Sequence, residues 1–299
     1  MSAATMEAPG AGAMKTLATR SDAAGLRHLA IHAALLLATG ALVALAPGWW
    51  AVPAMLLLGL VQAALFAPFH ETSHYTAFAS RRLNAAVGWL SGLPALYNWH
   101  FYQLYHTAHH RFTQDPERDP ELSTPPPETR GGYLLRVFSL PYWRFRLAVL
   151  RDGLRGDLSA YPYIGAAAAP RVIRSIRAEV AVLAGGALLA GLVFGWQAPL
   201  LFWVGPQLLA QPFLRLYLLA EHTGCSTDRN GLTNTRTVLT TPVLRLLMWN
   251  MPYHAEHHLY PFIPFHRLAE AHAVLKAQLA HLQPGYARFH ADLVRSLRP

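Results

Sequence analysis

Apolar side chains dominate four stretches of this chain for the whole length of a membrane-crossing helix: residues 29–46, 51–69, 180–196 and 199–219. A spanning helix needs roughly 17 to 25 mostly apolar residues, so each stretch predicts one. The first ends at Pro47, with Trp49 and Trp50 beyond it where interfacial aromatics belong. Only the uncharged "PGWW" joins it to the second, and only "GWQ" joins the third to the fourth. Two tight hairpins follow from such short links, with Arg215, near the far end of the fourth span, expected to snorkel toward the interface. Residues 83–99 are apolar but broken by Gly and Pro, which suits a re-entrant or interfacial segment. Residues 133–151, "YLLRVFSLPYWRFRLAVLR", alternate Arg with large apolar side chains and predict a helix lying in the interface plane. Past the second hairpin come the polar loop "STDRNGLTNTR", the apolar "VLRLLMWNMPY" and an amphipathic helix from about Phe265.

Composition agrees with this pattern. Of 299 residues, 53% are hydrophobic and 14% charged, against about a quarter charged in soluble domains; the mean hydropathy is +0.20. No linker or repeat divides the chain, so residues 25–299 read as one domain behind a disordered Ala/Gly-rich tail, 1–24, with no apolar core of a cleaved signal peptide. The expected fold is all-α: four transmembrane helices in two hairpins with a cytoplasmic helical cap.

The net charge of +9 orients that fold. Lys15, Arg20 and Arg27 precede the first span, and thirteen arginines from Arg81 to Arg177 lie between the hairpins, so both termini and the large loop are expected on the cytoplasmic side. Nucleic acid is not an expected partner, because the arginines are interleaved with aromatics and Leu rather than grouped in a polar patch. Cys225 is the only cysteine, which excludes an internal disulfide and Cys-based zinc or iron–sulfur motifs.

The candidate chemistry lies in histidine. Eight of the 16 histidines fall in three boxes: His70 and His74 in "HETSH", His106, His109 and His110 in "HTAHH", and His254, His257 and His258 in "HAEHH". On a helix, positions i and i+4 lie about 40° apart and adjacent positions about 100° apart, so each box presents imidazoles toward one side while neighbours can serve two different metals. All three boxes fall on the expected cytoplasmic side, as does a ninth histidine, His222 in "AEHTGC". Eight or nine imidazoles exceed the four ligands of a structural zinc site and suit two ions, and among imidazole-preferring metals a redox pair of irons best accounts for so many ligands beside an apolar pocket. His28, His32, His100, His266, His272, His281 and His290 are read as ordinary polar residues. Glu256 and Asp119 are the best candidates to orient ligating imidazoles, ahead of Glu71, Glu221, Asp115 and Asn250. A metal transporter would carry ligands inside its spans, where only His32 lies. A redox-inert, histidine-rich zinc protein of the membrane is the remaining rival outside catalysis.

The boxes HxxxH, HxxHH and HxxHH, with "HHRFTQDPERDPEL" after the second and "WNMPYHAEHHLYPFIP" around the third, resemble the membrane-bound fatty acid desaturase superfamily over about residues 51–268. The resemblance implies a di-iron enzyme that uses O2 and external electrons to desaturate an acyl chain of a lipid. Hydroxylases and ketolases of the superfamily share the same boxes and are the alternative. It also implies one iron on His70, His74, His106, His110 and His258 and the other on His109, His222, His254 and His257. Leu218 stands where acyl-CoA desaturases place a polar Asn near the ninth histidine. No haem-binding HPGG or nucleotide-binding glycine motif is visible, so a separate ferredoxin, rubredoxin or cytochrome b5-like donor with its reductase is expected. The substrate pocket is expected between spans and cap, near residues such as Trp89, Tyr97, Trp99, Trp249 and Tyr253.

Overall fold

A computed structural model describes residues 11–299. Helix α1 (Ala11–Thr16) is followed by α2 (Asp22–Leu45), which starts where the Ser21 hydroxyl accepts the Ala24 N–H and so satisfies one of the free donors of a helix N-terminus. The expected tail, 1–24, lies outside the described residues up to position 10. From there the structure differs from it, because Met14 is fully buried against Ile263, Leu268 and Leu275.

A 3-10 turn, Gly48–Trp50, leads into α3 (Ala51–Ala64) and then α4 (Phe66–Ser73), broken only at Leu65, whose N–H reaches Gln62 O. Helix α5 (Arg81–Gly92) and a 3-10 turn over Leu93–Ala95 end at Leu96 in a left-handed conformation, which turns the chain into α6 (Trp99–Phe112). Two helices, α7 (Arg130–Val137) and α8 (Leu140–Arg155), form the segment expected at the interface. They leave Leu134, Leu135, Phe138, Leu140 and Leu147 exposed, as a helix resting on a bilayer would.

Helix α9 (Ala169–Phe194) buries only its first turns, through Val172, Ser175, Ile176 and Glu179, against α6 and α8. Its far half exposes Leu188, Leu189, Leu192, Val193 and Phe194. A π-helical turn (Leu200–Val204) opens α10 (Gly205–His222). The remaining helices are α11 (Pro242–Leu247), α12 (His254–Leu259), α13 (Leu268–Leu275) and α14 (Tyr286–Ser296), with a two-residue parallel pairing of β1 (Thr237–Val238) and β2 (Leu282–Gln283). The described chain is thus mostly helical, as expected.

Among the described residues, three helical stretches are long and apolar enough to cross a membrane: Asp22–Leu45, Gly48–Ser73 and Ala169–Phe194. The fourth expected span differs. Helix α10 carries Gln207, Gln211 and Glu221 in buried positions, and it packs chiefly along α3 rather than closing a hairpin with α9. Contact with α3 is possible because Gly59 has no side chain; a Cβ there would lie 2.1 Å from Pro206 O. The buried amides satisfy one another: Gln211 Nε2 donates to Gln207 Oε1 at 3.0 Å, Gln207 Nε2 to Gln62 Oε1 at 2.9 Å, and Gln62 Nε2 to Phe202 O at 2.8 Å. Such a ladder lowers the cost of placing polar side chains between helices, leaving Gln211 Oε1 at its end as the one amide oxygen of the three without a partner among the described residues.

Candidate metal centre

Four helices deliver the imidazoles. Helix α4 and its C-terminal residue carry His70 and His74, α6 carries His106, His109 and His110, α10 ends on His222, and α12 carries His254, His257 and His258. Box three begins just after a strained corner, with Trp249 and Asn250 both at positive φ. Trp249 Nε1 donates to His32 Nε2 at 3.1 Å and Asn250 Nδ2 to Phe265 O at 3.1 Å, so the surroundings hold this corner in place.

All nine histidines expected as ligands converge. One group is His70, His74, His106, His110 and His257, and the other is His109, His222, His254 and His258; within each, the ligand atoms lie within 4.8 Å of one another. The division corrects the expected one, in which His258 belonged with box one and His257 with His254. Helix geometry explains the exchange. The i, i+4 pairs His70/His74, His106/His110 and His254/His258 each stay on one side, while the i+3 members His109 and His257 cross to the other group.

The donor set fits metal ions. His110 and His106 bring their Nε2 atoms to 3.0 Å, His257 and His110 to 3.2 Å, and His222 and His254 to 3.1 Å. Nitrogens about 2.0–2.1 Å from a shared metal ion are separated by roughly that much. Among the described residues, several buried ring nitrogens have no hydrogen-bond partner, including both of His70 and the Nε2 atoms of His74 and His258. Buried polar atoms rarely stay unpaired, so this set calls for a ligand of its own. Burial, and then the neighbouring imidazoles, hold the pKa values of His106, His110, His254, His257 and His258 well below the ordinary histidine range. These rings are therefore neutral, the form that ligates.

Supporting contacts fix the rings. Asp119 accepts from His109 Nδ1 at 2.9 Å while taking the N–H groups of Gln114 and Glu121 at 2.8 and 2.9 Å. Burial alone would lower the His109 pKa, but the carboxylates of Glu121 and Asp119 outweigh it and raise it. Asn234 O accepts from His222 Nδ1 at 3.1 Å, and Thr113 Oγ1 lies 3.2 Å from His258 Nδ1. Tyr102 stacks on His106 with ring centres 5.0 Å apart.

Glu256, expected to orient a box histidine, instead bonds His272 Nδ1 and Thr237 Oγ1. It ties α12 to α13 and β1, because its position on α12 points away from the histidine face. Asp115 pairs with Arg118 at the surface, and Glu71 accepts the Phe265 N–H at 3.0 Å. Glu221 Oε1 lies 3.6 Å from His254 Nδ1, and Glu121 Oε2 lies 3.7 Å from His109 Nε2. Glu121 was not singled out from the sequence; its place two residues after Asp119 was the available signal.

A cavity of about 160 Å³ opens beside the second group, lined by His70, His106, His109, His222 and His254 and by Phe66, Leu218, Leu219 and a set of Tyr and Arg side chains. Of the five aromatics expected there, only Tyr97 lines it. Trp99 and Trp249 are fully buried in the core, Trp89 packs against it, and Tyr253 stacks on His272.

A model of the fatty acid desaturase family matches residues 47–290, which takes in every box and all nine histidines. The chain belongs to the fatty acid desaturase family. It is 29% identical over 89% of its length to the dihydrorhizobitoxine desaturase of Bradyrhizobium elkanii, covering 76% of that protein. It is 24% identical over 79% of its length to the sn-1 oleoyl-lipid 12-desaturase of a Picosynechococcus strain, covering 72% of that enzyme. It is also 26% identical over 70% of its length to a fatty acid desaturase of Bacillus subtilis, covering 63% of it. Membership of this desaturase family makes the chain an oxidoreductase and its histidine cluster a metal site.

Proposed function

We propose that this family member is a membrane-bound, O2-dependent di-iron desaturase that inserts a double bond into an aliphatic acyl chain, with lipids as the substrate class that the family supplies. The observation that carries this reading is the convergence of nine imidazoles into two adjoining groups of five and four beside one cavity. When bound, two irons would supply the oxidant, formed from O2 and external electrons, that removes hydrogen from an unactivated C–H bond.

The chain's own part is to hold and to shield. His70, His74, His106, His110 and His257 would hold one iron and His109, His222, His254 and His258 the other. Asp119 keeps the His109 Nδ1–H engaged and its Nε2 free to ligate. Asn234 O does the same for His222. Phe66, Leu218 and Leu219 form an apolar wall along the cavity, where one methylene can be held against the centre and water kept out.

In this reading α10 with its π-helical turn serves as the fourth span, sheltered by α3 from lipid, and both termini and the metal centre face the cytoplasm. A separate ferredoxin, rubredoxin or cytochrome b5-like protein delivers the electrons. The test is expression with such a donor in a host lacking this activity, followed by mass spectrometry of membrane lipids and free acids. Loss of two hydrogens is the expected change, and purified protein should hold two irons per chain. Gain of one oxygen would replace desaturation by hydroxylation, and a zinc-filled protein with no product would defeat the oxygenase reading.

A further inference from the structure

The cavity beside the histidines is not the uniformly greasy slot that an uncharged hydrocarbon requires. Arg146, on α8, and Arg215, on α10, both line it. Arg146 is 4% exposed, and its Nε and Nη1 have no hydrogen-bond partner; the same is true of Arg215 Nε. The two guanidiniums share one aromatic floor: Arg146 lies 4.6 Å from the centre of the Tyr97 ring, and Arg215 lies 4.2 Å from that of Tyr142. Arg215 Nη2 donates to the Tyr97 hydroxyl at 3.2 Å. The expected snorkelling of Arg215 does not occur; its guanidinium turns inward onto these rings.

Among the described residues neither arginine has a carboxylate within ion-pair distance; Glu121 and Glu221 act on Arg215, and Glu179 on Arg146, only from farther off. The ion pairs that arginines make among the described residues are at Arg118, Arg151, Arg267, Arg288, Arg295 and Arg298. The acids that line the cavity, Asp119, Glu121 and Glu221, approach His109 and His254 instead, and the third arginine there, Arg136, donates Nη1 to Thr124 O at 2.8 Å. A buried guanidinium with no counter-charge in hydrogen-bonding contact is expensive, and aromatic faces offset only part of that cost. Its planar fork of donors matches a carboxylate in two-point contact. The cavity, at about 160 Å³, is of the size that holds a benzene-sized molecule, which favours a compact ligand over a long esterified chain.

We infer that Arg146 and Arg215 form a carboxylate subsite and that the substrate is a compact free acid, anchored by its anionic end with its aliphatic carbons toward the histidine centre. This rests on the reading of the cavity as the place where substrate meets the metal centre. It narrows the substrate class to anionic acids and away from neutral esters.

The test is binding to the purified, detergent-solubilised full chain, read by calorimetry and by thermal shift, with hexanoate and methyl hexanoate as matched probes. Hexanoate should bind saturably and raise the melting temperature, and methyl hexanoate should do neither. Arg146→Gln and Arg215→Gln should each weaken hexanoate binding by about 10- to 100-fold, the range for a lost hydrogen bond to a charged group. Should either variant fail to fold, the comparison of acid with ester on the unaltered protein decides by itself. Equal binding of acid and ester would overturn the subsite. Hexanoate bound by protein that oxidises nothing would uphold it while sinking the desaturase reading; oxidation of esterified lipids without hexanoate binding would do the reverse.

Discussion

At the scale of single residues, Asp119 shows how much one carboxylate can organise. It receives His109 Nδ1 and two backbone N–H groups, of Gln114 and Glu121, so the loop after α6 and the ring are fixed together. Asp119→Asn removes the charge that favours the donating tautomer of His109. Loss of a carboxylate behind a ligating imidazole typically lowers metal affinity by about 10- to 100-fold, so iron retention against a competing chelator should fall by that much while the helical content stays. Full iron retention in this variant would rule the contact out as a support of the centre. His109→Ala goes further and removes one of four imidazoles in its group. Activity should vanish while membrane insertion persists, and a variant that still forms product would end the assignment of His109 as a ligand.

At the scale of elements, the centre depends on how close α3, α10 and α12 are held. Gly59 lets α10 lie against α3, and a leucine there would drive its Cβ into Pro206 O, a backbone atom that cannot rotate away. Overpacking of this kind costs about 1–3 kcal/mol. Gly59→Leu should therefore lower the melting temperature and, by displacing His222 at the end of α10, lower iron content too. A normal iron content at reduced stability would show that α10 is positioned by its C-terminal end alone. Glu256 plays the matching part for α12 through His272 and Thr237. The residue was legible as a helper of box three, but a spacing inside HAEHH cannot tell whether its carboxylate turns to the imidazoles or, as here, away from them to a partner 16 residues along the chain.

At the scale of the whole molecule, the cluster makes folding depend on pH when metal is absent. Burial and mutual repulsion hold the pKa values of His106, His110, His254, His257 and His258 well below the ordinary range, whereas in the unfolded chain each titrates near 6.5. Below that pH the unfolded chain binds protons that the folded chain does not. Stability is therefore full above about pH 6.5 and is lost as the pH falls, by about 1.4 kcal/mol per unit for each such group. The chelator-treated protein should melt at progressively lower temperature between pH 7.5 and 5.5, and iron should raise the curve by binding the folded state alone. A melting temperature flat across that range would contradict a cluster held neutral by burial and by the repulsion that protonation would bring.

The sequence by itself determined the helical membrane character, because long apolar runs have no other stable use, and it named all nine histidines, because box spacings of three and four residues mark one side of a helix. Tertiary structure decided what depends on distances across the chain. Which histidines share a group follows from how α4, α6, α10 and α12 converge, so His257 and His258 exchanged places. The second hairpin opened as Gln207 of α10 found Gln62 on α3, whose own amide donates to Phe202 O, a satisfaction that no hydropathy profile records. Arg146 and Arg215 lie 69 positions apart in sequence and meet over the rings of Tyr97 and Tyr142. Their pairing depends on the packing of α8 against α10 through those rings, and that is why the chemical character of the cavity became visible only in the folded chain.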